Sequence, residues 1–411
     1  MNYLFIHQNF PGQYQHIAAY LAAQPGNRVV FLSHDSQNSI EGVERISYLP
    51  YRQPHPSTHH YIREVEQAVI FGQSLYERCL GLKKDGFRPD IMIGHNGWGE
   101  TLYLKDVWPD VPLLGYFEFF YRFQGADIAF DPISPVTLDD APRVRTKNIV
   151  NLLGLDAADW GQTPTRWQWS LYPEHARRRI TVIHEGIDTD RVRPDPQAWV
   201  RLDGPNLTLT PNDEVITYVA RNLEPYRGFH IFMRALPDIL RRRPKAHVLI
   251  VGGDEVSYGS PAPDGQTYRQ IMLNQVGHGL DLSRVHFLGR VPYHSFLSIL
   301  QISSAHVYLT YPFVLSWSFL EAMAAGCLLI GSATAPVQEV LRDRENGLLV
   351  DFFDTAALAE RIDEALDHPD RMRELREQAR RTVVEGYDLR TVTMPRHLAL
   401  IDDLIAGRTP Q

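Results

Sequence analysis

Short apolar runs alternate with amphipathic stretches along the whole chain. In the first half, residues 3–6, 28–33, 91–94, 113–117 and 180–183 read as strands. Residues 13–23, 60–81 and 142–153 carry helical spacing between them. The second half repeats the scheme, with strands at 215–220, 247–251, 285–288, 305–309, 328–331 and 348–350. Helices at 229–242, 293–300, 318–325 and 355–366 separate these strands, and residues 394–407 close the chain as an amphipathic helix. Near-continuous apolar strands with intervening helices predict parallel sheets covered on both faces.

Residues 188–213 interrupt the pattern. Pro194, Pro196, Gly204, Pro205 and Pro211 cluster there with charges, which predicts a linker between two α/β domains. Doubly wound domains bind ligands at the carboxyl ends of their strands, so a cleft between the two is the expected site.

The 411 residues hold 41 basic and 49 acidic side chains, a net charge of −8. With 44% apolar and 22% charged residues, the composition excludes a disordered, collagenous or coiled-coil chain. Mild acidity argues against a general nucleic-acid binder. Cys79 and Cys327 are too few for a disulfide framework or a cysteine zinc site, and their apolar contexts predict buried, inert thiols. The apolar run at the N-terminus is too short for a signal peptide, and residues 322–330 are far too short to span a bilayer. A cytosolic protein is expected, in which the sequon at Asn206 carries no glycan.

Familiar motifs are missing. No G-x-G-x-x-G or P-loop follows a strand, and no H-E-x-x-H or comparable metal-ligand set occurs. His55, His59 and His60 fall in a Pro-rich stretch that reads as a solvated loop. Arg177-Arg178-Arg179 is a solvated face or a contact for anionic lipid or an anionic acceptor.

Four segments sit where a strand should end and a helix begin. Gly12, after the first strand, permits close backbone approach, and helix-start amides there suit a phosphate; the bland alternative is a tight turn. Arg221 and Arg227 flank a turn after residues 215–220, where two planar guanidiniums can converge on a diphosphate. Glu321 lies in an apolar helical stretch, where an unpaired carboxylate is costly; it either accepts ribose hydroxyls or is satisfied internally. Loop amides at Val314, Leu315 and Ser316 precede that helix. In the first half, His95 and Glu118 follow apolar strands at neighbouring strand ends. Tyr121, Trp160, Trp167 and Trp169 are stacking platforms for a glycan or packing residues.

Together these residues resemble the retaining nucleotide-sugar glycosyltransferases of family 4, with the GT-B fold: two Rossmann-like doubly wound α/β domains facing a cleft. Arg221 and Arg227 match the family's basic pair, with Arg in place of the usual Lys. Residues 313–326 match its E-x7-E element running into E-A-M-A-x-G, so Glu321 is the ribose-holding Glu and Phe313 replaces the first Glu. Residues 183–188 resemble the segment closing the first domain, and residues 335–339 and 346–350 its later signatures.

The resemblance implies an acceptor-side domain over 1–190, a donor domain over 191–387, and a terminal helix within 388–411 returning to the first. It implies transfer of a hexose, with a UDP-sugar such as UDP-glucose favoured, to a glycan, lipid-linked or small-molecule hydroxyl in polysaccharide or glycoconjugate synthesis. No cofactor or metal is expected, because Arg221, Arg227 and helix-terminal amides stabilise the leaving diphosphate. Glu118, where the family often has His, and His95 would serve near the reacting carbon. Phe313 leaves the donor sugar open. The rivals are a GT-B epimerase and a lapsed transferase that only binds a nucleotide sugar.

Overall fold

In the computed structural model, residues 1–202, 204 and 206–410 are described. Pro205, within the predicted linker, and Gln411, at the end of the terminal segment, lie outside them. The chain divides into two compact units: unit 1 is residues 1–186 with 390–411, and unit 2 is residues 187–389.

Unit 1 is built on seven parallel strands: β1 (Asn2–Ile6), β2 (Arg28–Ser33), β3 (Val43–Ser47), β4 (Ile91–His95), β5 (Leu113–Tyr116), β6 (Trp160–Thr163) and β7 (Ile180–Val182). Their order across the sheet is β3-β2-β1-β4-β5-β6-β7. Leu4, Phe5, Ile6, Val30, Phe31 and Leu32 are fully buried, as a sheet covered on both faces requires. Two strands escape the apolar-run criterion. β3 is an edge strand with Glu44 and Arg45 exposed, and charge is how edges resist further pairing. β6 contains Gly161, where a Cβ would sit 2.8 Å from the Phe117 ring, so close packing took the place of an apolar side chain.

The predicted helix 142–153 forms as two, Asp140–Lys147 and Ile149–Ala157. Asn148 separates them. Its side chain donates to the Tyr121 carbonyl at 2.7 Å and accepts the Tyr121 amide at 3.0 Å, fixing the loop after β5 to the helical pair. The terminal helix Met394–Ile405 packs on unit 1, with Arg396 donating to the Val182 carbonyl at 2.8 Å and His397 Nε2 to the His184 carbonyl at 3.1 Å.

Unit 2 opens with a small antiparallel hairpin, β8 (Val200–Leu202) and β9 (Leu207–Leu209). This corrects the linker expected over 188–213. Ala198, Leu202 and Leu209 bury against Val215, Leu249 and Ile299, and Pro196, Gly204 and Pro211 sit in turns of this packed element. Six parallel strands follow: β10 (Val215–Asn222), β11 (His247–Gly253), β12 (Val285–Gly289), β13 (Ala305–Tyr308), β14 (Leu329–Ser332) and β15 (Leu348–Val350), in the order β12-β11-β10-β13-β14-β15. Helix Pro369–Tyr387 was not predicted, because its apolar stripe is narrow, with only Met372, Leu375, Ala379 and Val383 buried. Arg380 on this helix donates to the carbonyls of Val192, Thr189 and Ala324, and Arg376 to that of Ser304.

Cys79 and Cys327 are buried free thiols, and burial pushes both up to about 12. Among the described residues, no helix is long and apolar enough to cross a membrane.

Candidate active site

In an open parallel sheet, strand order reverses at one point, and loops leaving the strands there diverge to opposite faces and open a crevice. In unit 1 that point lies between β1 and β4. His7 follows β1 and His95 ends β4, so topology places two imidazoles side by side, their ring centroids 4.9 Å apart.

Local backbone sets both tautomers. His7 Nδ1 accepts the Asn9 amide at 2.9 Å, so Nε2–H donates to Gln13 Oε1 at 2.6 Å. His95 Nδ1 accepts the Gly97 amide at 3.0 Å, which leaves Nε2–H directed at Glu118 Oε2, 3.7 Å away. The Gln13 amide donates to Glu118 Oε1 at 3.1 Å. A hydrogen-bonded chain therefore runs from His7 through Gln13 to Glu118, whose carboxylate is part-exposed. Burial and the neighbouring His95 push the His7 pKa well below the usual imidazole value, keeping it neutral.

His95 is clamped on both sides: Trp98 stacks on it at 4.3 Å and Tyr116 at 5.2 Å, both within about 25° of parallel. Tyr116 OH bonds in turn to buried Glu185. Gly12 has φ +52°, and a Cβ there would lie 2.6 Å from His7 Nε2. Its glycine is thus demanded by the His7 ring as well as by the turn. The structure brings Gly12, His95 and Glu118 into one network. His7, Gln13 and Trp98 were missed, although the strand-end rule that flagged His95 also reaches His7.

In unit 2 the reversal lies between β10 and β13. Arg221 is exposed at the end of β10 and, among the described residues, its guanidinium has no hydrogen-bond or ion-pair partner. Arg227 lies in the 3-10 turn Pro225–Arg227 and is buried. Its Nη1 donates to Thr310 Oγ1 at 2.8 Å, the Val314 carbonyl at 2.8 Å and Tyr308 OH at 3.2 Å. Gly228 ends that turn at φ +68°, where a Cβ would lie 2.3 Å from the Leu309 side chain.

Tyr308 OH also receives the Ser316 amide at 3.0 Å and Ser316 Oγ at 3.1 Å, joining Arg227 to the loop before helix Trp317–Ala324. The Ser316 amide, expected to face a ligand, is therefore already engaged, and Leu315 is buried in the core. Glu321, on that helix, accepts Tyr293 OH at 2.7 Å, and the Arg191 guanidinium lies 4.5 Å over the Tyr293 ring. Burial raises the Glu321 pKa, opposed by the Tyr293 bond and Arg191. Phe313 packs edge-on to Tyr226 at 5.4 Å and against Tyr258 at 5.1 Å, so the position matching the family's first Glu is part of an aromatic cluster.

Two further polar groups escaped sequence reasoning. Glu224 is fully buried and accepts the amides of Ser257, Tyr258 and Gly259 at 3.0–3.1 Å. The loop so held places Tyr258 over the Arg227 guanidinium at 5.1 Å. Arg290 donates to Asn222 Oδ1 at 3.1 Å and pairs with Glu255, adding a third guanidinium at these strand ends. Nothing in their spacing marks either residue.

Other expectations resolve differently. Arg177 stacks on Trp169, and Arg179 donates to the Leu155 and Ala158 carbonyls at the end of helix Ile149–Ala157, while Arg178 is exposed. Trp160 donates to Thr181 Oγ1 and Trp169 to the Arg177 carbonyl; both are packing residues rather than platforms. Among the described residues, no group of three His, Cys, Asp or Glu side chains is placed to hold a metal ion.

Two doubly wound units with parallel sheets, each with polar residues gathered at its switch point, match the GT-B class. Comparison with known proteins is consistent with this. Residues 25–192 match the model of the glycosyl transferase family 4 group, and residues 205–382 that of glycosyl transferases group 1. The chain belongs to glycosyltransferase family 4.

Curated relatives include a D-inositol 3-phosphate glycosyltransferase of Nocardia farcinica, 29% identical over 48% of this chain and 42% of its own length. A protein of the same name from Corynebacterium aurimucosum is 24% identical over 71% of this chain and 66% of its own. The match thus covers less than two thirds of either relative. Among solved structures, a sucrose-phosphate synthase from Thermosynechococcus elongatus aligns over 99% of this chain and 100% of its own, with a TM-score of 0.72 at 18% identity. Anabaena HepE in complex with UDP and glucose aligns over 98% and 100%, with a TM-score of 0.67 at 14% identity. At these identities the structural likeness speaks for the fold alone.

Proposed function

We propose that this protein is a retaining, metal-independent glycosyltransferase that moves a hexose from a nucleoside-diphosphate sugar to an acceptor hydroxyl. The observation that carries the reading is the switch point of unit 2. There, buried Arg227 is locked by Tyr308, Thr310 and Val314, and exposed Arg221 ends the adjoining strand. A fixed guanidinium such as Arg227 meets the charge of a departing diphosphate without reorganising, and Arg221, uncommitted among the described residues, adds a second donor.

In the proposed reaction, the anomeric C–O bond to the diphosphate breaks as the acceptor oxygen bonds to that carbon from the same face. The acceptor proton passes to a departing phosphate oxygen. Arg221, Arg227 and the backbone amides of Val314 and Leu315 take up the leaving charge, while Glu321 accepts ribose hydroxyls in exchange for Tyr293. In unit 1, Glu118, held by Gln13 and facing His95, stabilises positive character on the sugar ring or orients the acceptor. HepE's complex with UDP and glucose supports a uridine nucleotide and a glucosyl donor. The inositol phosphate in the curated relatives' name supports a small acceptor over a polymer.

The test is nucleotide release from UDP-glucose and other nucleotide sugars, with the product's anomeric configuration read by proton NMR. Retention and full activity in EDTA are expected. Glu321→Ala should weaken UDP binding at least tenfold by calorimetry, the worth of one charge-assisted hydrogen bond. An inverted product, an absolute metal requirement or unchanged UDP affinity each removes the corresponding claim.

A further inference from the structure

Beside the His95 clamp, unit 1 contains a hollow of about 420 Å³, within the size range of small-molecule sites. Gly97 and Trp98 contribute one side, Glu64 and Gln67 of helix Arg63–Lys84 a second, and Tyr121 and Lys147 a third. We propose that this hollow binds the acceptor, and that the acceptor is a neutral polyhydroxylated molecule, a sugar or polyol without phosphate or carboxylate. The proposal rests on the transferase reading and assigns its acceptor class.

Charge argues for neutrality. Lys147 Nζ lies 3.1 Å from Glu64 Oε2 and 4.1 Å over the Tyr121 ring, so its ammonium is compensated twice. Among the described residues, Glu64 and Lys147 are the only charged ones lining the hollow, so it presents a balanced pair. An anionic group would have to displace Glu64 from Lys147 and then face that carboxylate. A hydroxyl instead donates to the carboxylate and accepts from the ammonium at once, leaving the pair intact.

The remaining polar groups fit the same ligand. The side-chain amides of Gln8 and Gln67 line the hollow, and neither bonds to another described residue. Each therefore offers both a donor and an acceptor, which is what vicinal hydroxyls require. Asn151 is already committed to the Phe119 carbonyl and to Asn148 and Asn96, and serves as wall. Trp98, stacked on His95, supplies a flat apolar surface for the C–H face of a ring.

The loop is preorganised. Gly99 has φ +97°, and a Cβ there would lie 2.4 Å from the Ala68 carbonyl oxygen, so the chain after β4 is seated directly on the helix that carries Gln67. The competing ligand is a sugar phosphate reaching into a neighbouring hollow lined by Arg122 and Arg145. Arg122 commits its Nε and Nη2 to the carbonyls of Leu171 and Ser170, which leaves exposed Arg145 as the cation that such a phosphate would meet.

Saturation-transfer NMR with glucose, myo-inositol and glucose 6-phosphate reads the hollow without needing turnover. Nucleotide release with the same three compounds reads it in catalysis. The neutral compounds should bind and accelerate release more than the phosphate does. Gln67→Leu should raise the KM of the neutral acceptor about tenfold, the worth of a lost hydrogen bond to a buried partner, with the KM for the donor unmoved. Glu64→Lys should shift preference toward glucose 6-phosphate. A wild-type preference for the phosphate, or an acceptor KM indifferent to both substitutions, overturns the proposal. Loss of the transferase reading would show differently, as no UDP binding while the sugar's saturation-transfer signal persists.

Discussion

Arg221 and Arg227 flank one turn, yet the structure gives them opposite relations to stability, and this separates function from folding. Arg221→Ala removes an exposed guanidinium without a partner among the described residues, and such surface changes usually fall within about 0.5 kcal/mol. Arg227→Ala strips the donor from Thr310 Oγ1, the Val314 carbonyl and Tyr308 OH in a buried setting. At about 1 kcal/mol for each, the loss is roughly 3 kcal/mol. For a unit of this size that corresponds to a melting shift of roughly 6–12 °C. In catalysis Arg221 should also count: a lost charge-assisted bond of about 1.5–3 kcal/mol slows transfer roughly 10- to 150-fold. Differential scanning fluorimetry and a coupled nucleotide-release assay on both variants give the two readouts. The expected pattern is Arg221→Ala stable but slow, and Arg227→Ala slow and destabilised. If Arg221→Ala transfers at the wild-type rate, Arg221 leaves the site; if Arg227→Ala melts with the wild type, its network does not carry the load assigned here.

Three further outcomes follow from other parts of the fold. Gly12→Ala places a side chain at φ +52° and against the His7 ring, which should cost about 1–2 kcal/mol in backbone strain and lower the urea midpoint; an unchanged midpoint would show that the turn relaxes freely. His306 is buried on β13, with Nδ1 at 2.8 Å from Thr217 Oγ1, and burial pushes it down to about 4. Above pH 6.5 both folded and unfolded states leave it neutral. As pH falls below that, only the unfolded chain takes the proton, so by pH 5 folding loses about 2 kcal/mol through this group. His306→Leu should flatten the dependence of unfolding free energy between pH 7 and 5 by that amount. Glu224→Ala frees the three amides of Ser257, Tyr258 and Gly259, so chymotrypsin should cleave after Tyr258 much faster; wild-type resistance would mean that other contacts hold the loop.

Periodicity alone determined the architecture. Apolar runs as dense as residues 28–33 and 247–251 can only be buried on both faces, and parallel sheets with covering helices are the fold that does so. The same pattern pointed to His95, Glu118 and Arg221, because a polar residue directly after such a run lies at a strand's carboxyl end; Arg227 came in across the following turn, and Glu321 as a carboxylate set inside an apolar helix. Elements without that signature were illegible: β3 is charged because it is an edge, β6 substitutes the packing of Gly161 on Phe117 for apolar residues, and the 188–213 segment hides a hairpin behind its prolines.

Tertiary structure alone decided which polar groups act together. Gln13 and Glu118 are 105 residues apart, Arg227 and Val314 87, and Lys147 and Glu64 meet across a hollow no local pattern describes. Strand order sets these meetings. Reversal between β1 and β4, and between β10 and β13, juxtaposes loops distant in the chain, and hydrogen bonding of buried polar groups then selects the partners.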